Sequence, residues 1–140
     1  MADAGIDNIA RHPAHATRAG RDAAPVIGNH VWIGEGVHLA RGITLGQGCV
    51  VAAHAMVTRS VWPYTIVGGN SARVIRARFE PAVIERLLRS EWWRYRFTDF
   101  GGRRHDRPAL FLNQLAVAVE RETIRPFAPP KARLSAPLPG

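Results

Sequence analysis

The sequence predicts a mainly β protein: a short, three-sided parallel β-helix followed by α-helices. Three observations predict it. Aliphatic residues recur every six positions, at Ile27, Ile33, Leu39, Leu45, Val51 and Val57. The next position is small at Gly28, Gly34, Ala40, Gly46 and Ala52, with Thr58 the exception. Four places after each aliphatic stands a second apolar residue: Val31, Val37, Ile43, Cys49, Ala55 and Val61.

A six-residue period suits neither of the common alternatives. On an α-helix six residues make about 1.7 turns, which would smear the aliphatics around the circumference. Each glycine would also cost such a helix about 1 kcal/mol relative to alanine. Hairpins would need turn clusters at longer intervals. A hexad fits a prism in which each face is one short strand and each corner a tight turn, with the aliphatic pointing inward and the small residue letting the backbone bend. Three hexads make one coil, and coils stack at about 4.8 Å. Residues 26–61 then supply about two coils. So thin a stack exposes strand edges at both ends, and oligomerisation is expected from that deficit alone.

The remaining elements follow in order. Residues 1–25 lack the hexad and read as an irregular arm that carries His12 and His15 and ends at Pro25. The β-helix region is 26–78; its last part, from Trp62-Pro63-Tyr64 through Gly68-Gly69-Asn70, looks like a final partial coil broken by turns, giving two to three coils in all. C-terminal helices occupy 79–121. The first, over 80–95, starts at Pro81 and carries Val83, Ile84, Leu87, Leu88 and Trp92 on one stripe. The second, over 108–121, places Leu112, Leu115, Ala116 and Val119 together. Gly101-Gly102-Arg103-Arg104 links them. Residues 122–140, with five prolines from Pro126 onward, suggest a disordered tail.

Composition bounds the function. The 140 residues suit one domain, and 46% hydrophobic with 21% charged residues is ordinary for a globular chain. No apolar run approaches the ~20 residues of a membrane span, and the N-terminus lacks a secretory pattern, so no membrane partner is expected. Cys49 is the only cysteine, which fits a reducing compartment and a cytoplasmic location. The net charge of +8, almost all of it arginine, attracts anions. The arginines are spread along the chain without a helical basic stripe or stacking aromatics, which argues against a nucleic-acid partner.

The stretch Val26-Ile27-Gly28-Asn29-His30-Val31-Trp32-Ile33-Gly34 resembles the entry into the last coils of the hexapeptide-repeat acetyltransferases. Met56-Val57-Thr58-Arg59 and the run from Pro63 to Arg76 resemble the exit. Arg78-Phe79 and Trp92-Trp93 are most similar to the xenobiotic subgroup, which acetylates chloramphenicol and streptogramins; sugar and polysaccharide acetyltransferases share most of the signature. The likeness covers about residues 12–95.

That resemblance implies a left-handed β-helix, a homotrimer, and acetyl-CoA as co-substrate in the groove between neighbouring prisms. It implies transfer of an acetyl group to a hydroxyl of a sugar, polysaccharide precursor or antibiotic. A histidine would act as base; His12, in a His-Pro pair, matches best, with His15 as the alternative. A backbone N–H would hold the oxyanion. Glu35 and Ala53 fall where the family contacts the pantetheine arm, Thr58 and Arg59 near the CoA phosphates, and Arg73 and Arg76 at the distal phosphates, where guanidinium geometry suits the oxygens. No metal is expected, because His30, His38 and His54 do not share one hexad position as a three-histidine zinc site requires. Trp92 and Trp93 read as packing residues.

The chain also departs from the family. Only 11 residues precede His12, where the family has several coils that help bind the acceptor, and Ser71 replaces the proline of the Asn-Pro-Ala signature. The alternative reading is therefore a truncated, non-catalytic CoA-binding or trimer-assembly module.

Overall fold

Six two-residue strands follow one another at the hexad spacing: β1 Val26–Ile27, β2 Trp32–Ile33, β3 His38–Leu39, β4 Thr44–Leu45, β5 Val50–Val51 and β6 Met56–Val57. The computed structural model describes residues 22–102 and 106–128. Val26 pairs with Thr44, Trp32 with Val50 and His38 with Met56, each in parallel and each 18 residues on. Three strands per 18 residues is one turn of a three-sided prism, so the hexad spacing becomes a stack of coils. Amides of the lower coil donate to carbonyls of the upper one, as in Gly28 to Leu45 at 2.8 Å and Gly34 to Val51 at 2.8 Å.

A third layer follows. Val61 bridges Leu45, β7 (Thr65–Gly68) pairs parallel with β5, and Asn70 bridges Met56. The chain then reverses. β8 (Arg73–Ala77) runs antiparallel to β7 with an irregularity at Ile66/Val67, and this reversal ends the parallel stacking.

The bend in each hexad lies elsewhere than the sequence reading put it. The left-handed backbone residues are His30, Gly36, Gly42, Gly48 and His54, with φ between 57° and 68°, two places after each small residue. The small residues serve the stacking instead. A Cβ on Gly34 would lie 2.5 Å from the Ala53 nitrogen, and one on Gly46 2.5 Å from the Pro63 nitrogen. Side chains there would wedge adjacent coils apart.

Two cores result. Inside the prism Ile43, Leu45, Cys49, Val51, Ala55, Val57, Val61 and Val67 are buried together. Beside it α1 (Pro81–Ser90) packs on α2 (Pro108–Glu120), with Tyr64 of the prism reaching into the helical cluster. Pro81 occupies the first turn of α1, and Glu91 in left-handed conformation closes it with an N–H bond to Leu88 O. A 3-10 turn, Trp92–Arg94, takes up the remainder of the expected helix.

On α2 the buried side is Phe111, Leu112, Leu115 and Ala118, whereas Ala116 and Val119 face outward. The helix is apolar on several sides, and the aromatic ring of Phe111 decides which one faces inward. Its centroid lies 5.2 Å from that of Phe100 and 6.2 Å from Trp92. After α2, Ile124 is buried and the Phe127 N–H bonds Arg94 O at 2.6 Å; residues 129–140 of the expected tail lie outside the described residues.

Candidate functional site

The prism places the sequence-predicted contact residues on two of its corners and at its upper end. Glu35 and Ala53 occupy equivalent positions of successive coils. His54 N–H donates to Glu35 O at 2.8 Å, and both residues are exposed at the corner that follows β2 and β5. Gly69 continues this column, its carbonyl accepting from Met56 N–H at 3.0 Å. Thr58 and Arg59 leave β6 at the next corner, where both are exposed.

Above them lies a cavity of about 290 Å³ lined by Val57, Arg59, Thr65, Val67, Arg73 and Val74, among others. Arg59 comes from the corner after β6 and Arg73 from β8, so the chain reversal lets two arginines 14 residues apart in sequence line one cavity. Arg73 Nη1 donates to Ala72 O at 3.3 Å. Arg76 stands apart: it lies opposite Ile66 on β8, donates to Ala77 O at 3.1 Å, and does not line the cavity. Among the described residues none of these arginines is in an ion pair, since the pairs present are Arg89–Glu85, Arg94–Glu91 and Arg125–Glu122. Unpaired, exposed guanidinium groups at the rim of a cavity are suited to phosphate oxygens.

His12 and His15 lie outside the described residues. His30 lies at the corner after β1 in the first coil, His54 at the corner after β5 in the second, and His38 on the β3 face, so the three do not share one position of the prism. Among the described residues no group of three or more His, Cys, Asp or Glu could hold a metal ion. Cys49 is sealed in the prism core, where burial pushes its thiol up to about 12.

Sequence reasoning missed a second concave site. It lies where the corner after β1 and β4 meets the helices, lined by His30, Tyr64, Arg78 and Trp92 with surrounding phenylalanines. These residues are distant in sequence, and the stretches that carry them give no sign that they meet. Trp92 Nε1 donates to Tyr64 Oη at 2.9 Å, and Arg78 Nη1 donates to Gly48 O at 2.6 Å. Burial, and secondarily the Arg78 charge, holds the His30 imidazole below its ordinary pKa.

The family model for the bacterial transferase hexapeptide (six repeats) matches residues 24–59. Those residues are similar to the hexapeptide-transferase repeat. A chloramphenicol acetyltransferase of Agrobacterium fabrum is 52% identical over 68 residues, covering 49% of this chain and 32% of that protein. A probable macrolide acetyltransferase of Lysinibacillus sphaericus is 47% identical over 70 residues, covering 50% of this chain and 39% of that protein. The chain thus spans about a third of the length of these relatives. Among solved structures, a hexapeptide-repeat acetyltransferase of Vibrio cholerae complexed with acetyl coenzyme A is 41% identical, with a TM-score of 0.41 over 41% of this chain and 32% of that one. Among the described residues no helix is long and apolar enough to cross a membrane.

Proposed function

We propose that this chain carries the coenzyme-binding coils of a cytoplasmic, left-handed β-helical O-acetyltransferase that transfers the acetyl group of acetyl-CoA to an acceptor hydroxyl. The observation that carries this reading is the 52% identity over 68 residues with a chloramphenicol acetyltransferase. An antibiotic hydroxyl heads the acceptor classes, ahead of sugars and polysaccharide precursors. Arg59 and Arg73 hold coenzyme phosphates at the upper cavity, and Thr58 borders them. Arg76 contributes to the distal phosphate from outside that cavity. Glu35 and Ala53 present their corner backbone to the pantetheine arm.

In the transfer, His12, or else His15, takes the proton of the acceptor hydroxyl as its oxygen attacks the thioester carbonyl. A backbone N–H stabilises the oxyanion, and the imidazole returns the proton to the departing thiolate. Cys49, buried and held as a thiol, has no part in it. Copies assemble as a trimer around grooves parallel to the prism axis. In support, Trp32 points outward from β2, being next to the inward position of Ile33, and is 67% exposed.

A second reading is favoured by the lower end of the prism. There β1, β2 and β3 each have one strand partner among the described residues, and Ile27 and Ile33 are exposed. On this reading the chain is a CoA-binding or trimer-assembly module without turnover. Thioester consumption from acetyl-CoA, assayed with chloramphenicol and a panel of sugars, separates the two. Turnover that His12→Ala abolishes supports the enzyme with His12 as base, and loss with His15→Ala alone moves the role to His15. CoA binding without turnover favours the module, and absence of CoA binding overturns both.

A further inference from the structure

The cavity between the prism corner and the helices is separate from the corners proposed for the coenzyme, and its chemistry specifies a ligand of its own. It measures about 170 Å³. Apolar protein cavities of about 150 Å³ accept a benzene ring. Its walls are aromatic: Trp92, Phe100 and Phe111 meet at centroid distances of 5.2 to 6.3 Å, with Phe111 nearly perpendicular to both partners. Such walls favour a planar ring in stacked or edge-on contact.

Two polar groups at one side of this apolar space are incompletely satisfied. Arg78 is partly buried, and one guanidinium nitrogen bonds Gly48 O, yet no carboxylate pairs with it among the described residues. Its carbon lies 5.3 Å from the Phe79 centroid and 5.9 Å from that of Tyr64, so aromatic faces replace much of its water. Tyr64 is 2% exposed and its hydroxyl accepts from Trp92, but among the described residues nothing accepts its own proton. A half-desolvated cation and an unused buried donor call for an acceptor, preferably an anionic one. The His30 imidazole, edge-on to Trp92 at 4.6 Å, also lines the cavity.

We propose that this cavity is a binding site for a small aromatic carboxylate, its ring held among Trp92, Phe100 and Phe111 and its carboxylate held by Arg78 and the Tyr64 hydroxyl. The site belongs to the His30–Gly48–Tyr64 corner, stacked through Gly48 N–H to Asn29 O and Tyr64 N–H to Gln47 O. It shares no residue with the Glu35–Ala53 column or the Arg59–Arg73 cavity.

Calorimetry with benzoate and with neutral benzamide tests the proposal on the whole chain. The site predicts benzoate binding at least about tenfold tighter than benzamide, the margin expected for a hydrogen bond to a charged group. Arg78→Met is expected to bring benzoate to the benzamide level while benzamide binding persists, which also shows the cavity intact. Tyr64→Phe, which keeps the ring, should weaken benzoate several-fold should Arg78→Met fail to fold. Saturating CoA is expected to leave benzoate binding unchanged. Equal affinity for the two probes, binding of neither, a wild-type affinity for benzoate in Arg78→Met, or displacement by CoA would each overturn it.

Discussion

The first and second coils have the same pattern and opposite surroundings. Ile27, Ile33 and Leu39 sit at the hexad positions of Leu45, Val51 and Val57, directly beneath them in register. Yet Ile27 is 52% and Ile33 36% exposed, while Leu45 and Val51 are fully buried. The difference is coverage. The second coil has a layer on each side: the first coil below, and Val61, β7 and Asn70 above. The six-residue spacing dictates the path of the chain; neighbouring layers dictate how much each inward side chain contributes to stability.

The largest expected effect is therefore asymmetric truncation. Leu45→Ala should cost about 2–5 kcal/mol by denaturant unfolding, whereas Ile27→Ala, already half in water, should cost less than about 1.5 kcal/mol. Equal costs would mean that the lower end is covered as well as the middle.

Stacking distance gives the next effect. Gly34→Val puts branched carbon where Ala53 backbone of the coil above already lies, and about 1–3 kcal/mol of overpacking is expected in the same measurement. A variant as stable as the parent would show that the coils part without penalty.

Cys49 offers a pH test of the covered core. Its folded-state pKa, raised from 9.0 to about 12 by burial, keeps the proton on the native thiol where the unfolded chain loses it. The native state then binds more protons than the unfolded one between these values, so stability falls as pH rises through that window, by up to about 1.4 kcal/mol per unit. Cys49→Ala should flatten the slope, and an unchanged slope would place its origin elsewhere. The smallest effect belongs to the exposed helix pair: Arg89→Ala, breaking its contact with Glu85, should cost no more than about 0.5 kcal/mol.

Much of this was legible in the sequence because stacking repeats one local rule. The positions from Ile27 to Val57 define the six strands directly. The bends were harder to read, since His30 and His54 share the left-handed backbone of Gly36, Gly42 and Gly48, and histidine adopts it only occasionally. Arg73 and Arg76 look equivalent in sequence. The irregularity at Ile66/Val67 and the antiparallel register of β8 separate them, placing Arg73 at the cavity and Arg76 away from it. The aromatic site was invisible, because Tyr64, Arg78, Trp92 and Phe111 meet only after the prism and helices have docked. The buried side of α2 was misjudged for the same reason: Phe111 finds its partners in a different element.

The most direct test of the account is a calorimetric titration of the whole chain with CoA. Saturable binding that weakens by about tenfold in Arg73→Ala, weakens similarly in Arg59→Ala, and falls with added salt is the predicted result. No binding at millimolar CoA, or an Arg59→Ala/Arg73→Ala double variant that binds like the parent, would contradict it.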